Sequence, residues 1–344
     1  MKTQRIATLL KREWLQHKWS WSIPMLVLVG LVWALMLSLP TFSSKVQYKF
    51  HAGGSTHTQV GVEVGEAKGA EAATLPQGGA PQEDDLGQLV ASRSDVTALL
   101  ILVGVSWGFA MLLLVTSTSI VLFQMPGLPR RDRADRSHEF WLSLPATHVE
   151  SLGSTWLAHG VLVPMAAVLV GAACGLLTGM VGVVQESGFG ALMAAPWWGV
   201  LQVLAVGALR LLLGVALMAL WWSPFVFALM LAQAWVKGWG APLLIGVTVA
   251  AAALLQKLYG YTALAEALQA QLMGGVEAVA INIPNAEALL RQAHDASAAA
   301  RVLVGQLGAD TWSVLNSLAS VQFPLSLGVA ALCFAGLVQW RRRA

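Results

Sequence analysis

Histidine, cysteine and carboxylate side chains build most hydrolytic and metal centres, and in this chain they are scattered. His138-Glu139 and His148-x-Glu150 share one loop, with no third ligand at metal spacing. His51 and His57 lie in another loop without cysteine or carboxylate partners at defined spacing, and read as solvated loop histidines. Cys174 and Cys333 each sit inside an apolar run, where the thiol serves as a small hydrophobe, and no disulfide framework exists. The sequence has no G-x-x-x-x-G-K-[ST] phosphate cradle, no H-E-x-x-H zinc helix and no G-x-S-x-G nucleophile elbow. A membrane-embedded enzyme would need a catalytic cluster, and none is legible.

Recognition chemistry, by contrast, is concentrated in one place. The stretch Arg130-Arg131-Asp132-Arg133-Ala134-Asp135-Arg136-Ser137-His138-Glu139-Phe140-Trp141-Leu142-Ser143-Leu144-Pro145 holds four arginines, three acids and an aromatic pair in a chain that is only 11% charged as a whole. Guanidinium groups make bidentate contacts to acidic rims, and a Phe-Trp pair fills an apolar pocket, so this composition fits a docking surface. Arg130, Arg131, Arg133, Asp135, Arg136, Phe140, Trp141, Leu144 and Pro145 are its candidate contact residues. A second set lies in an apolar run. Arg210 is the one charge within 197–236, and Pro224, preceded by Trp221-Trp222-Ser223, is expected to kink that run by removing a backbone hydrogen bond. Arg210, Trp221, Trp222 and Pro224 are therefore the candidates for a substrate path or hinge. Arg210 itself is expected near an interface, its stem snorkelling to water, with a cavity role as the alternative.

The elements that position these residues are membrane helices. With 56% hydrophobic residues and a mean hydropathy of +0.65, one soluble core could not cover the apolar surface. The net charge of +3 and pI near 9.0 would suit nucleic acid, but the basic residues gather at span ends, so no nucleic-acid role is expected. A length of 344 residues suits about six spans at roughly 20 residues each. The spans read as 22–40, 98–123, 156–184, 211–236, 242–256 and 321–340. An interfacial segment at 189–209 is expected before the fourth, because 40 apolar residues exceed one crossing at about 1.5 Å per residue. The apolar run from Ser22 to Pro40 is longer than a signal-peptide core and lacks a cleavage site, so it is read as a retained span.

Placing both termini in the cytoplasm puts 13 basic residues against five acids inside, which is the expected bias. Residues 1–20 read as an interfacial helix, with Ile6, Leu9, Leu10 and Trp14 at helical spacing and Arg5, Lys11, Arg12 and Lys18 facing headgroups. The loop 41–97 carries alternating Val46, Tyr48, Phe50 and Val60, Val62, Val64, a short hairpin pattern. In the outer loop 258–320, Leu289, Ala293, Ala296, Ala300, Leu303 and Leu307 form one stripe, predicting an amphipathic helix over 286–307 that ends at Gly308. That stripe must pack on a second helix such as 263–272, on the outer ends of the spans, or on another copy of the chain.

The motif Asp135-Arg136-Ser137-x-x-Phe140-Trp141-x-Ser143-Leu144-Pro145 resembles the loop between spans 2 and 3 in bacterial permeases of the ABC exporter superfamily, in their six-span, type-two class. Lys11-Arg12-Glu13-Trp14, the Pro224 span followed by Ala234-Trp235, and the closing Trp340-Arg341-Arg342-Arg343 resemble the same group. The chain departs from it at Leu142, often a lysine, at Ala146-Thr147, where an acid is usual, and in the Gly-rich 65–88 stretch. The resemblance implies one all-α integral membrane permease domain over 1–344. It would have six transmembrane helices, an N-terminal interfacial helix, a cytoplasmic coupling helix within 124–150 and two large extracytoplasmic loops. It also implies a homodimer in the bacterial inner membrane, surrounded by lipid, that binds a separate P-loop ATPase through the 130–145 loop. ATP and magnesium would sit on that partner, and this chain would bind no cofactor and catalyse nothing itself. The implied role is export of a lipid, amphiphile or peptide. The alternative is a non-transporting relay that passes ATPase motion to an extracytoplasmic partner.

Overall fold

The computed structural model describes residues 8, 10–11, 15, 22–30, 83–129, 147–236, 239–284, 293 and 295–343. Among these residues there is helix and no strand. The 41–64 hairpin, most of the 1–20 interfacial helix and the whole 130–145 docking stretch lie outside them. Among the described residues, five helices are long and apolar enough to cross a membrane, as a membrane-embedded chain requires. Of the 22–40 span, residues 22–30 are described and helical.

The first long helix, α1, runs from Glu83 to Gln124 and tightens into a short turn at Met125–Gly127. Helix α2 covers His148–Ala194. Thr147 starts it with a reciprocal cap: its hydroxyl accepts from the Glu150 N–H at 3.2 Å, and the Glu150 carboxylate accepts from the Thr147 N–H at 2.9 Å. Over Ala158–Leu162 its ladder widens to a π turn just before Pro164. Proline has no N–H to donate and crowds the carbonyl four residues back, and a wider turn relieves both effects. Helix α3 is Trp197–Val236, α4 Gly240–Tyr259, α5 Ala263–Val279, α6 Ala296–Ser317 and α7 Gln322–Arg343.

Two expectations are corrected here. The interfacial segment expected at 189–209 is divided instead: residues 189–194 form a short terminal helical piece of α2 beyond a kink at Gly188 (φ 84°), and residues 197–209 belong with 211–236 to a single 40-residue helix, α3. A helix of that length is about 60 Å long, twice the bilayer's hydrocarbon core. It stays unbroken because other helices cover it along its whole length. Of the amphipathic helix expected at 286–307, residues 286–292 and 294 lie outside the described residues, and the part from Ala296 belongs to a helix that runs to Ser317 with Asp295 as its N-cap. It passes through Gly308 without stopping, because Leu303, Leu307 and Val314 keep one face buried beyond the glycine. That burial outweighs the cost of about 1 kcal/mol for a helical glycine.

Packing sorts into three apolar layers along α3. Where α3 begins, Val200 and Val203 meet Leu99 and Leu102 of α1, Val183 of α2, and Ala299, Leu303 and Leu307 of α6. The stripe of α6 thus packs on the ends of the long helices. A middle layer joins Leu211, Val215 and Met218 to Ala110, Val168 and Val314. Where α3 ends, Val226, Phe227 and Met230 pack with Met125, Leu128, Leu152 and Leu337. Helices α1 and α2 touch backbone to backbone. A Cβ on Gly171 would come within 2.7 Å of the Ala110 Cα, one on Gly175 within 2.6 Å of the Ser106 Cα, and one on Gly179 within 3.2 Å of the Leu102 Cα. Glycines four apart lay a flat groove along a helix, the usual device for close crossings in lipid. By contrast α4 is covered almost nowhere, with Leu243, Ile245, Val247 and Val249 each more than half exposed, as suits a helix bathed in lipid.

Candidate functional site: a buried arginine in the long helix

Arg210 lies near the middle of α3, on a helix that is apolar around nearly its whole circumference. Its side chain is fully buried, so the snorkelling expected from sequence does not occur. Three of its nitrogens find acceptors. Nε donates to Asp310 Oδ2 of α6 at 2.7 Å, Nη1 to the Ala278 carbonyl at 2.7 Å and Nη2 to the Ala280 carbonyl at 3.1 Å. Asp310 is nearly as buried, and its other oxygen accepts from the Asn282 N–H at 3.3 Å.

This geometry follows from the chemistry of helix ends. The last carbonyls of α5, at Ala278 and just beyond at Ala280, lack intrahelical donors and carry partial negative charge. A planar guanidinium can serve those carbonyls and a carboxylate together, and a single ammonium cannot do so with the same geometry. Gly214, one turn after Arg210, makes the approach feasible: a Cβ there would strike the Ala278 carbonyl oxygen and lie 2.9 Å from Nη1. The cluster therefore ties α3, α5 and α6 into one unit while keeping net charge near zero in an apolar setting.

Three turns further along α3 stands the second set of sequence candidates. Pro224 cannot donate to the Leu220 carbonyl, and the Ser223 hydroxyl fills that acceptor at 2.7 Å. The neighbouring Trp221 carbonyl accepts from the Gln271 side-chain amide of α5. Trp222 Nε1 donates to the Leu272 carbonyl at 3.2 Å. Both indoles lie over Gly274-Gly275 of α5, where a Cβ would collide with them. Trp221 also meets Phe323 of α7 edge-on, with centroids 5.2 Å apart. The backbone groups loosened by Pro224 are thus taken up by Ser223 and Gln271, and α3 stays continuous through the proline.

Near the other end of α3 the structure adds residues that the sequence reading passed over. Arg341, one of three closing arginines, is buried and donates to Ser151 Oγ at 3.0 Å, joining the last turn of α7 to the first of α2. His159 sits in the π turn of α2, fully buried, with Nδ1 3.0 Å from the Thr155 carbonyl. A lone histidine in the apolar run 156–184 is itself a signal, since ionisable groups in spans are rare. Glu150, considered as a metal ligand beside His148, is instead engaged in the helix cap. No cluster of three or more metal-ligating side chains occurs among the described residues. Asp295 is held below the ordinary carboxylate range, chiefly by the Ala298 N–H at 2.5 Å and then by the Ser297 hydroxyl at 2.9 Å.

Comparison with family models, with curated proteins and with solved structures finds no match for this chain.

Proposed function

We propose that this chain is the transmembrane subunit of an ATP-driven ABC exporter, coupling hydrolysis on a separate P-loop subunit to movement of a lipid, amphiphile or peptide. The observation that supports it best is the continuity of α3. Its last turns, at Val226, Phe227 and Met230, pack against Met125 and Leu128, which lead directly into the 130–145 loop. Its first half is tied to α5 and α6 through Arg210. A push on the loop by an ATPase would therefore reach the opposite end of the molecule through packed side chains, without crossing a flexible joint. In this reading the Val236 end faces the cytoplasm, both termini are inside, and α5 and α6 lie toward the outside.

The loop's residues carry the partner chemistry, with Trp141 and Phe140 as apolar anchors, Arg130, Arg131, Arg133 and Arg136 on an acidic rim, and Asp135, Leu144 and Pro145 completing the contact. The chain works as a homodimer in a bacterial inner membrane, with ATP and magnesium on the partner. The rigid attachment of α5 and α6 to α3 also favours a second reading, a relay that passes motion to an extracytoplasmic protein. Reconstitution with the P-loop subunit separates the two. ATP turnover stimulated by a lipid or amphiphile supports export. Stimulation only by an extracytoplasmic protein supports the relay. Turnover by the pure chain alone overturns both.

A further inference from the structure

A groove of about 530 Å³ opens where α3 and α6 begin, a volume within the usual range for small-ligand sites. Trp197, Trp198 and Ala300 give it an apolar wall, and Gln202, Ser297 and Arg301 supply an amide, a hydroxyl and a guanidinium. The Trp197 indole is fixed, donating to the Leu192 carbonyl at 3.1 Å, while Trp198 is 74% exposed. Its level relative to a bilayer can be read from the helices around it. Leu99, Val183, Val200 and Ala299 share one apolar layer. Just beyond that layer α1 presents Asp95 and α2 presents Gln185-Glu186, so apolar surface gives way to polar surface at the height of the groove. Tryptophan favours this boundary, with its ring among acyl chains and its N–H toward headgroups.

We infer that this groove binds the headgroup of a phospholipid, with the phosphate on Arg301 and the glycerol and upper acyl carbons against Trp198 and Ala300. A guanidinium matches a phosphate in shape and charge. The Ser297 hydroxyl is already committed, donating to Asp295 Oδ1 at 2.9 Å beside the Ala298 N–H, which leaves Arg301 as the phosphate's partner. The site requires only that the chain be membrane-embedded; it stands whether or not the chain is an exporter.

The test uses the full chain in vesicles of equal phosphatidylglycerol and monogalactosyldiacylglycerol, which lacks phosphate, with photoreactive benzoylphenylalanine in place of Gln202. Irradiation should attach phosphatidylglycerol in preference to the galactolipid. R301Q should cut that preference about fivefold, the size expected for one basic side chain at an anionic surface. Both Arg301 and Trp198 are exposed, so R301Q and Trp198→Ala should insert and purify normally, and W198A should lower total lipid capture. Millimolar inorganic phosphate should leave capture unchanged. Equal capture of both lipids, a preference that survives R301Q, or loss of capture to inorganic phosphate would each overturn the proposal; the last would reveal a site for free anions. Cross-linking to protein in place of lipid would overturn it as well.

Discussion

Replacing Arg210 by methionine keeps the stem and removes the charge, which leaves Asp310 buried with only the Asn282 N–H at 3.3 Å and strips two carbonyls of their donor. Breaking a buried ion pair from one side costs about 3–5 kcal/mol. The expected loss for Arg210→Met is therefore about 3–5 kcal/mol. Asp310→Leu should cost about 3 kcal/mol, the low end of the same range, since the buried guanidinium loses its carboxylate but keeps the Ala278 and Ala280 carbonyls. The double variant leaves two unpaired carbonyls and no charge, and should lose only about 2 kcal/mol. Equilibrium unfolding in mixed micelles, followed by tryptophan fluorescence, measures all three. The expected coupling energy is about 4 kcal/mol or more. A double variant whose loss equals the sum of the singles within about 0.5 kcal/mol would refute it.

Cysteine placed at Ser55 or Ser297, in a chain lacking Cys174 and Cys333, should react with an impermeant reagent from the extracytoplasmic side; reaction only from the cytoplasmic side would invert the proposed topology. Gly175→Ala should force α1 and α2 apart and cost about 1–3 kcal/mol in the same unfolding assay, whereas Gly182→Ala, whose Cβ would sit 3.7 Å from the Ile101 side chain, should be neutral. Asp295 titrates below its unfolded value, so its cap on α6 is in place above the ordinary carboxylate range and is lost as pH falls through the depressed value. Hydrogen exchange at the Ala298 N–H should therefore quicken in Asp295→Ala at neutral pH, and the difference from the parent chain should vanish in strong acid.

The long apolar helices were readable because lipid demands them: α1, α2 and α4 each contain the run expected of them, and α7 contains all of its run but Val321. The error at α3 came from assuming that a helix ends where the bilayer does. Its extra turns are covered by α6, a neighbour about 100 residues away that no local pattern reveals. The same distance hid the partner of Arg210. An aspartate on a mixed polar helix carries no mark of burial until the fold sets it against α3. Asp295 could have been found as a helix start, since Asp directly before a run of alanines is an N-cap signal. The leucine-and-alanine stripe that begins at Leu289 drew attention away from it. The G-x-x-x-G-x-x-x-G run at 171–179 was equally legible, as small residues repeating every four positions announce a close helix crossing.

Docking of a P-loop ATPase on the 130–145 loop is tested most directly by purifying the chain from native membranes with Trp141 intact and with Trp141→Ala. The intact chain should bring down a stoichiometric P-loop ATPase. The variant should insert and fold normally yet lose most of it, since truncating a central aromatic anchor costs roughly 2 kcal/mol or more, about thirtyfold in affinity. An ATPase that stays fully bound and coupled to W141A, or an intact chain that brings down no nucleotide-binding partner, would contradict the account.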